Sequence, residues 1–358
     1  MRKEIIWNHE RSECKPDAKR KRGSAQPQGR AQPLRKMSKN LFDVIVIGAG
    51  PTGLAATIEA KKNGLKYLLL DKGGITNSIL RFPVQMIFFT TPELLEIGGI
   101  PLVSEREKPS RNEALKYYRK VVGVYQLDVH QYEEVLRITQ TQPHVFRVET
   151  AEATYDTRNV VISTGYYDNP NVMGIPGEDL PHVSHYFSEP HPFYDRDVVV
   201  IGGKNSAAEA ALELFRGGAR VSLVHRGPAM GSTVKYWVRP DIENRLKNGE
   251  ITPYFNAKIL EITDKYARIA QNGDTREILA QQVFALTGYH CSTKFFDQLD
   301  VRYDPDTLRA ERNPETFETS VPGVYLAGSV IGGRLNGEIF IENGRFHGEL
   351  VVKAILKD

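Results

Sequence analysis

The sequence predicts an α/β protein of two Rossmann-like, dinucleotide-binding domains, the second inserted within the first. Three observations carry this reading. A glycine-rich turn sits at the head of a βαβ pattern, "FDVIVIGAGPTGLAATIEAKKNGLKYLLLDK". A second such pattern follows well downstream, "RDVVVIGGKNSAAEAALELFRGGARVSLVHRG". Strand-like segments then flank the second unit, so that the chain can leave the first domain and return to it.

In the first unit, Val44–Ile47 is a short β-branched strand leading into Gly48, Gly50 and Gly53, a G-x-G-x-x-G turn that opens a helix. Gly48 permits the tight turn, Gly50 lets backbone N–H groups approach a pyrophosphate, and Gly53 lets helix pack closely on strand. Leu54 and Ile58 share one helical face, Gly64 lies near the helix end, and Tyr67–Leu70 forms the next strand. That strand ends in Asp71, whose carboxylate suits ribose hydroxyls. Thr52 and its neighbour Pro51 sit inside the turn, facing the ligand.

In the second unit, strand Val198–Ile201 runs into Gly202, Gly203, Lys204, Asn205, Ser206 and Ala207, then an Ala-rich helix and strand Val221–Val224. Lys204 and Ala207 replace the middle and last glycines. Lys204 either places an ammonium near phosphate oxygens or points to solvent. The second strand ends in His225 and Arg226 with no acid. An acid there would bind the 2′-hydroxyl of NAD, whereas a cation accommodates the 2′-phosphate of NADP, so this unit reads as an NADPH site. Two dinucleotide sites in one chain suggest hydride transfer between cofactors, with FAD the acceptor at the first turn.

"VVISTGYYDNPNVMGIPG" is a strand followed by a Thr164-Gly165 turn, and "GVYLAGSVIGG" is a late strand ending at Gly328. Both look like crossings, which gives an FAD domain of residues 41–167 and 296–358 and an NADPH domain of residues 168–295. "RFPVQMIFFTTPELLEIGG" holds Phe82, Phe88 and Phe89, which either wall the isoalloxazine or fill the core, and Gln85, which can reach its polar edge. "IFIENG", with Phe340 and Ile341, can start the last helix beneath the flavin, where a helix N-terminus stabilises negative charge.

Composition is that of a globular protein, 41% hydrophobic and 25% charged. The apolar runs are too short to span a bilayer. Residues 1–40 hold 12 Lys/Arg against 4 Asp/Glu, and the remaining chain 35 against 40, so the basicity belongs to a tail. That tail reads as a disordered, solvated extension, with Lys19–Arg22 open to a targeting or nucleic-acid reading that the composition does not favour. Met37 is a candidate natural start. No nucleic-acid or membrane partner is expected. Cys14 and Cys291 are the only cysteines, which excludes a disulfide framework or zinc spacing and points to the cytoplasm. Cys291 is open to two readings, a thiol near the domain crossing or a small buried residue. His182, His185 and His191 lack the partners a metal site needs, and no metal is expected.

With these residues in place, the chain resembles the thioredoxin-reductase-like, two-dinucleotide-binding flavoproteins, most closely the bacillithiol-disulfide reductase (YpdA-type) group. "IGGKNSAAEAALEL", "TGYYDNP", "KPSRNEALKYYR" and "IFIENGRFHG" carry the resemblance, which covers roughly residues 41–358. It implies FAD, NADPH, a homo-oligomer and reduction of a low-molecular-weight disulfide. The implied FAD contacts add Lys72, Thr164, Gly165, Gly328 and Ser329 to the turn residues. Two positions depart from the pattern. Thr52 stands where many members keep a cysteine, and a hydroxyl cannot form a mixed disulfide. Ser329 stands where the wider superfamily has an aspartate for the FAD ribitol. Flavodoxin or ferredoxin reductases share the architecture. A flavin monooxygenase would need F-x-G-x-x-x-H between the turns, and Phe187 reaches His191 too soon. A non-enzymatic redox-sensing flavoprotein is the remaining alternative.

Overall fold

The computed structural model describes residues 41–335 and 337–357. The basic tail, with Cys14, the Lys19–Arg22 run and Met37, lies outside the described residues. In chain order the first sheet comprises β1 (Leu41–Ile47), β2 (Tyr67–Leu70), β3 (Val129–His130), β4 (Val135–Gln142), β5 (Val145–Thr150) and β6 (Thr154–Ile162). Helix α1 (Pro51–Lys62) crosses from β1 to β2, and α2 (Asn77–Leu80) and α3 (Arg111–Tyr125) follow. The strand order is β3-β2-β1-β6-β5-β4. β1 runs parallel to both β2 and β6, whereas β4, β5 and β6 are antiparallel. Val44–Ile47 and Leu68–Leu70 are buried, as expected for central parallel strands covered on both faces.

The second sheet takes β7 (Val183–Ser184), β8 (Asp197–Ile201), β9 (Arg220–Val224) and β10 (Thr252–Tyr254), with α4 (Asn205–Arg216) and α5 (Arg239–Lys247) between them. β11 (Ala257–Ile262), β12 (Tyr266–Gln271) and β13 (Asp274–Leu279) form a separate antiparallel meander, and β14 (Gln282–Ala285) returns to the second sheet in the order β10-β9-β8-β14-β7. Strand alternation explains why "DVVVI" is apolar throughout. Val198 and Val200 face the core beneath α4, while Val199 and Ile201 face the core beneath the meander.

The final strand β15 (Val324–Leu326) pairs with β6, closing the first sheet around the inserted one. The chain passes α6 (Lys294–Gln298) before that strand and ends in α7 (Ile341–Gly344) and α8 (His347–Ile355). Outgoing and returning segments run side by side: Asn171 N–H donates to Gly288 O at 2.9 Å and His290 N–H to Asn169 O at 2.9 Å. The return to the first core is made by Cys291 and Phe295, a few residues before the boundary read at 296. The reason is α6, whose Phe295 and Phe296 are buried in the core of the first sheet while its Gln298 side chain accepts the Ile138 N–H of β4. The single last helix expected from "IFIENG" is two, α7 of four residues and α8, separated at Arg345 and Phe346.

Candidate functional site

A cleft of about 490 Å³ opens at the C-terminal ends of the first sheet. It is bordered by the β1–α1 turn, the end of β2, the segment after β6, the turn after β15 and the start of α7. Gly48 carries φ +108°, and a Cβ there would fall 2.5 Å from the Ser163 carbonyl oxygen. At Gly53 a Cβ would fall 1.9 Å from the Gly48 carbonyl oxygen. Gly50 differs: no protein atom lies within 4 Å of its absent Cβ, so the side open at Gly50 faces the cleft. Gly50 caps α1 without a side-chain hydrogen bond, Pro51 occupies the first turn, and no acid stands there. Those N–H groups and the helix dipole are unspent, the arrangement an anionic pyrophosphate needs.

Asp71 lines the cleft beside this turn. Its carboxylate accepts the Ala49 N–H at 2.6 Å and the Gly73 N–H at 2.7 Å. Burial raises its pKa above the usual carboxylate value, and the two N–H groups oppose that shift. One lone pair on each oxygen is committed, which leaves the others for ribose hydroxyls. Lys72 lines the cleft too, but its ammonium is 3.1 Å from Asp168, which Arg81 shares at 2.5 Å. Thr164, Gly165, Gly328, Ser329, Phe340 and Ile341 also line it. Gln85 is exposed and its neighbour Met86 takes the lining position. Phe82, Phe88 and Phe89 all border the cleft, Phe88 being buried as well.

Thr52 is wedged between two glycines. A Cβ on Gly328 would fall 2.9 Å from its hydroxyl oxygen, and one on Gly344 would fall 3.0 Å away. Cys291 does not line the cleft. It is fully buried, its Sγ lies 3.5 Å from Leu308 O, and burial pushes the thiol up to about 11. The small buried residue is the reading that describes it.

The second turn has a similar construction. α4 begins after Lys204 with no side-chain cap and no acid in its first turn. A Cβ at Gly202 would meet the Leu286 carbonyl oxygen at 2.6 Å and Ala207 Cβ at 2.9 Å, which explains the small residues at both positions. The His225 ring packs across Gly203, within 2.4 Å of where its Cβ would be, and burial lowers the imidazole pKa, aided by Arg226. Lys204, Ser206 and Arg226 are exposed, and Arg226 makes no ion pair among the described residues. Asn205 is turned inward: its side chain donates to Thr233 O at 3.1 Å and accepts from Lys235 N–H at 2.9 Å.

Several lining groups had no sequence signal. Glu133, Glu134 and Val135 reach the cleft because β3 adds to β2, a long-range pairing. His347 is buried, accepts the Gly328 N–H on Nδ1 at 3.1 Å and stacks on Phe317 at 4.3 Å. Burial, with Arg312 nearby, depresses it to about 4, so the neutral ring carries its proton on Nε2 and fixes the turn that presents Ser329. Tyr166 and Tyr167 line the cleft from the crossing segment. Lys235 sits over the Phe89 ring, and Trp237 packs on Phe89 at 5.9 Å, tying the loop after α4 and β9 to the cleft wall.

The open side of Gly50, the uncapped α1 N-terminus and the Asp71 carboxylate fit FAD, and the uncapped α4 N-terminus with a free Arg226 fits NADPH. A profile of the family described as pyridine nucleotide-disulphide oxidoreductase matches residues 45–328. The chain is 45% identical over 315 residues to the bacilliredoxin reductase Bdr of Bacillus subtilis, covering 87% of this chain and 97% of that protein. Among solved structures it is similar to the bacillithiol disulfide reductase Bdr (YpdA) of Bacillus cereus, with a TM-score of 0.87, 41% identity, and 89% and 99% of the two chains covered. The bacillithiol disulfide reductase Bdr (YpdA) of Staphylococcus aureus gives a TM-score of 0.85 at 39% identity, covering 88% of this chain and 98% of that one. On this match the chain belongs to the pyridine nucleotide-disulphide oxidoreductase family, with FAD and NADPH as its cofactors.

Proposed function

We propose that this oxidoreductase reduces a low-molecular-weight disulfide of the bacillithiol type, with FAD in the cleft and NADPH at the Gly202–Ala207 turn. The observation that carries the residue assignment is the contrast between the two turns. One opens beside the Asp71 carboxylate, which suits ribose hydroxyls, and the other ends beside exposed Arg226, which suits a 2′-phosphate. The similarity to the bacillithiol disulfide reductases of Bacillus cereus and Staphylococcus aureus supports the disulfide as acceptor.

FAD, once bound and reduced by NADPH, would supply the electron pair for disulfide reduction. The protein's own residues bind and orient. The α1 N–H groups would hold the pyrophosphate and Asp71 the ribose, and His347 keeps the Gly328–Ser329 turn in place. Phe82, Phe88 and Phe89 form an apolar part of the cleft wall. No cysteine is among the described residues lining the cleft, and in this reading the acceptor's two sulfurs are reduced without an enzyme thiol from that lining.

No helix among the described residues is long and apolar enough to cross a membrane. We place the protein in the cytoplasm as a homo-oligomer, which size-exclusion with light scattering tests. The function is tested by reducing the purified flavoprotein anaerobically with NADPH and following reoxidation. Bacillithiol disulfide should reoxidise it faster than a quinone, ferredoxin or oxygen. Faster reoxidation by ferredoxin, with no response to the disulfide, would overturn the reading.

A further inference from the structure

The loop between β9 and α5 is seated on the second turn. Gly231 N–H donates to Gly203 O at 2.7 Å, and Lys235 N–H donates to the Asn205 side-chain oxygen at 2.9 Å. The Asn205 amide returns a bond to Thr233 O at 3.1 Å, and a Cβ on Gly231 would fall 3.0 Å from Gly203 O. The Lys235 backbone is therefore held at the first residue of α4. Its ammonium stands over the ring of Phe89, in the wall of the first cleft, and 5.2 Å from the centre of the Trp237 ring. Lys108, just before α3, places its own ammonium 4.6 Å from the same indole. Neither ammonium forms an ion pair with a carboxylate among the described residues. Glu209 and Glu342 act on Lys235 only from beyond ion-pair distance, and Lys108 opposes them. One lysine thus reaches from the start of α4 to the wall of the first cleft, with a charge that no carboxylate takes up.

We infer that Lys235 binds the nicotinamide half of NADPH, its ammonium meeting the phosphate on the nicotinamide side of the pyrophosphate. The inference rests on NADPH lying at the second turn, with its 2′-phosphate at Arg226. A dinucleotide so placed runs from Arg226 across the start of α4, and its nicotinamide has to reach the flavin in the first cleft. Lys235 stands at the passage from one to the other. Burial lowers its pKa to about 8, so the ammonium is still charged at neutral pH but only partly solvated. A phosphate placed there gains a charge-assisted hydrogen bond and offsets the repulsion between Lys235 and Lys108. No bond is made or broken at Lys235. Its contact fixes how far the nicotinamide extends toward the flavin.

The test is Lys235→Met in the FAD-loaded protein, which keeps an apolar stem over Phe89 and removes the charge. Calorimetric titration compares NADP⁺ with adenosine 2′,5′-bisphosphate, which carries the 2′-phosphate and the adenine-side phosphate but no nicotinamide half. NADP⁺ should bind about 10–100-fold more weakly, the worth of a charge-assisted hydrogen bond, and the bisphosphate within about twofold of wild type. Lys235→Arg, which keeps the charge, should recover most of the loss. NADP⁺ affinity within about threefold of wild type in Lys235→Met would overturn the inference. So would an equal loss for the bisphosphate, which would put the charge at the adenine half. Lys235→Gln is titrated beside it, and loss of FAD from both variants would also overturn the inference, leaving the lysine a residue of the cleft wall. Arg226→Ala should weaken both ligands. If it weakens neither, NADPH does not lie at the second turn, and that reading fails together with this one; a failure at Lys235 alone leaves the NADPH site standing.

Discussion

Replacing Gly50 and Gly53 separately by alanine distinguishes a ligand cradle from a packing requirement within one turn. At Gly53 the added methyl would stand 1.9 Å from the Gly48 carbonyl oxygen, about 1.5 Å short of ordinary contact. That oxygen is fixed, since it accepts the Ser163 hydroxyl at 2.9 Å, so the start of α1 must move instead. Overpacking of this kind costs about 1–3 kcal/mol. At Gly50 the methyl meets no protein atom, and φ −69°, ψ 173° is open to alanine. The unfolded chain loses freedom there, so the apoprotein should gain about 0.4–1 kcal/mol. With FAD present, the same methyl occupies the approach of the pyrophosphate, and a cost of about 1–3 kcal/mol weakens binding roughly 5–150-fold. The assay is paired: thermal unfolding of both apoproteins, and titration with FAD followed by flavin fluorescence. Gly50→Ala should unfold at or slightly above the wild-type temperature yet bind FAD poorly, whereas Gly53→Ala should lose both. Wild-type FAD affinity in Gly50→Ala would refute the cradle.

Arg226→Ala should raise the KM for NADPH roughly tenfold to hundredfold, the worth of a charge-assisted phosphate contact, and leave NADH within about twofold; equal effects on both would remove the arginine from the site. Cys291→Ala should keep turnover within about twofold, and in a Cys14→Ser background the native protein should resist thiol reagents at pH 8 until unfolded, because Cys291 is fully buried. Glu209 on α4 is pushed up to about 7 by burial, with Lys235 only partly opposing. Its folded-state pKa is raised, so the native state holds the extra proton and wild-type stability falls as pH rises from about 4.5 to about 7. Glu209→Gln should flatten that slope, gaining about 1–3 kcal/mol over wild type at pH 8 relative to pH 5 in urea denaturation of the apoprotein.

Both glycine turns were legible because each is built from residues adjacent in sequence. Gly48, Gly50 and Gly53 constrain a turn of a few residues, and Asp71 ends the very next strand. Even the apolar "DVVVI" was readable as a strand, although not as one dividing its side chains between two cores. The rest of the site was not readable, for a common physical reason. Glu133–Val135, Tyr166 and His347 enter through strand pairing and chain crossing, contacts that no local spacing encodes. Gln85 shows the converse failure. A polar residue between aromatics suggested a flavin contact, but the turn after Phe82 leaves it exposed and puts Met86 toward the cleft. Lys72, read as a cofactor contact, also spends its charge on Asp168.

Thr52 links the legible part to the chemistry. At the first turn of α1 a cysteine would find the helix N-terminus that lowers thiol pKa, so the position is electrostatically suited to a thiolate. Threonine lines the cleft there, and its hydroxyl lies 2.9 Å from where a Cβ on Gly328 would stand and 3.0 Å from one on Gly344, so the turn after β15 and α7 approach α1 this closely because both positions are glycine. The position therefore offers a hydroxyl rather than a thiol, and Cys291, the only cysteine among the described residues, is sealed in the core. Charge that builds on sulfur during disulfide cleavage must then be met by oxygen or nitrogen donors. The cleft lining offers several, Thr52, Ser292, Lys294 and Ser329 among them. Lys72 is paired with Asp168, Asp71 is itself an anion, and the Tyr167 hydroxyl is spent on Arg81 O. Thr52, at the first turn of α1, is one donor of that set and sits at an uncapped helix N-terminus.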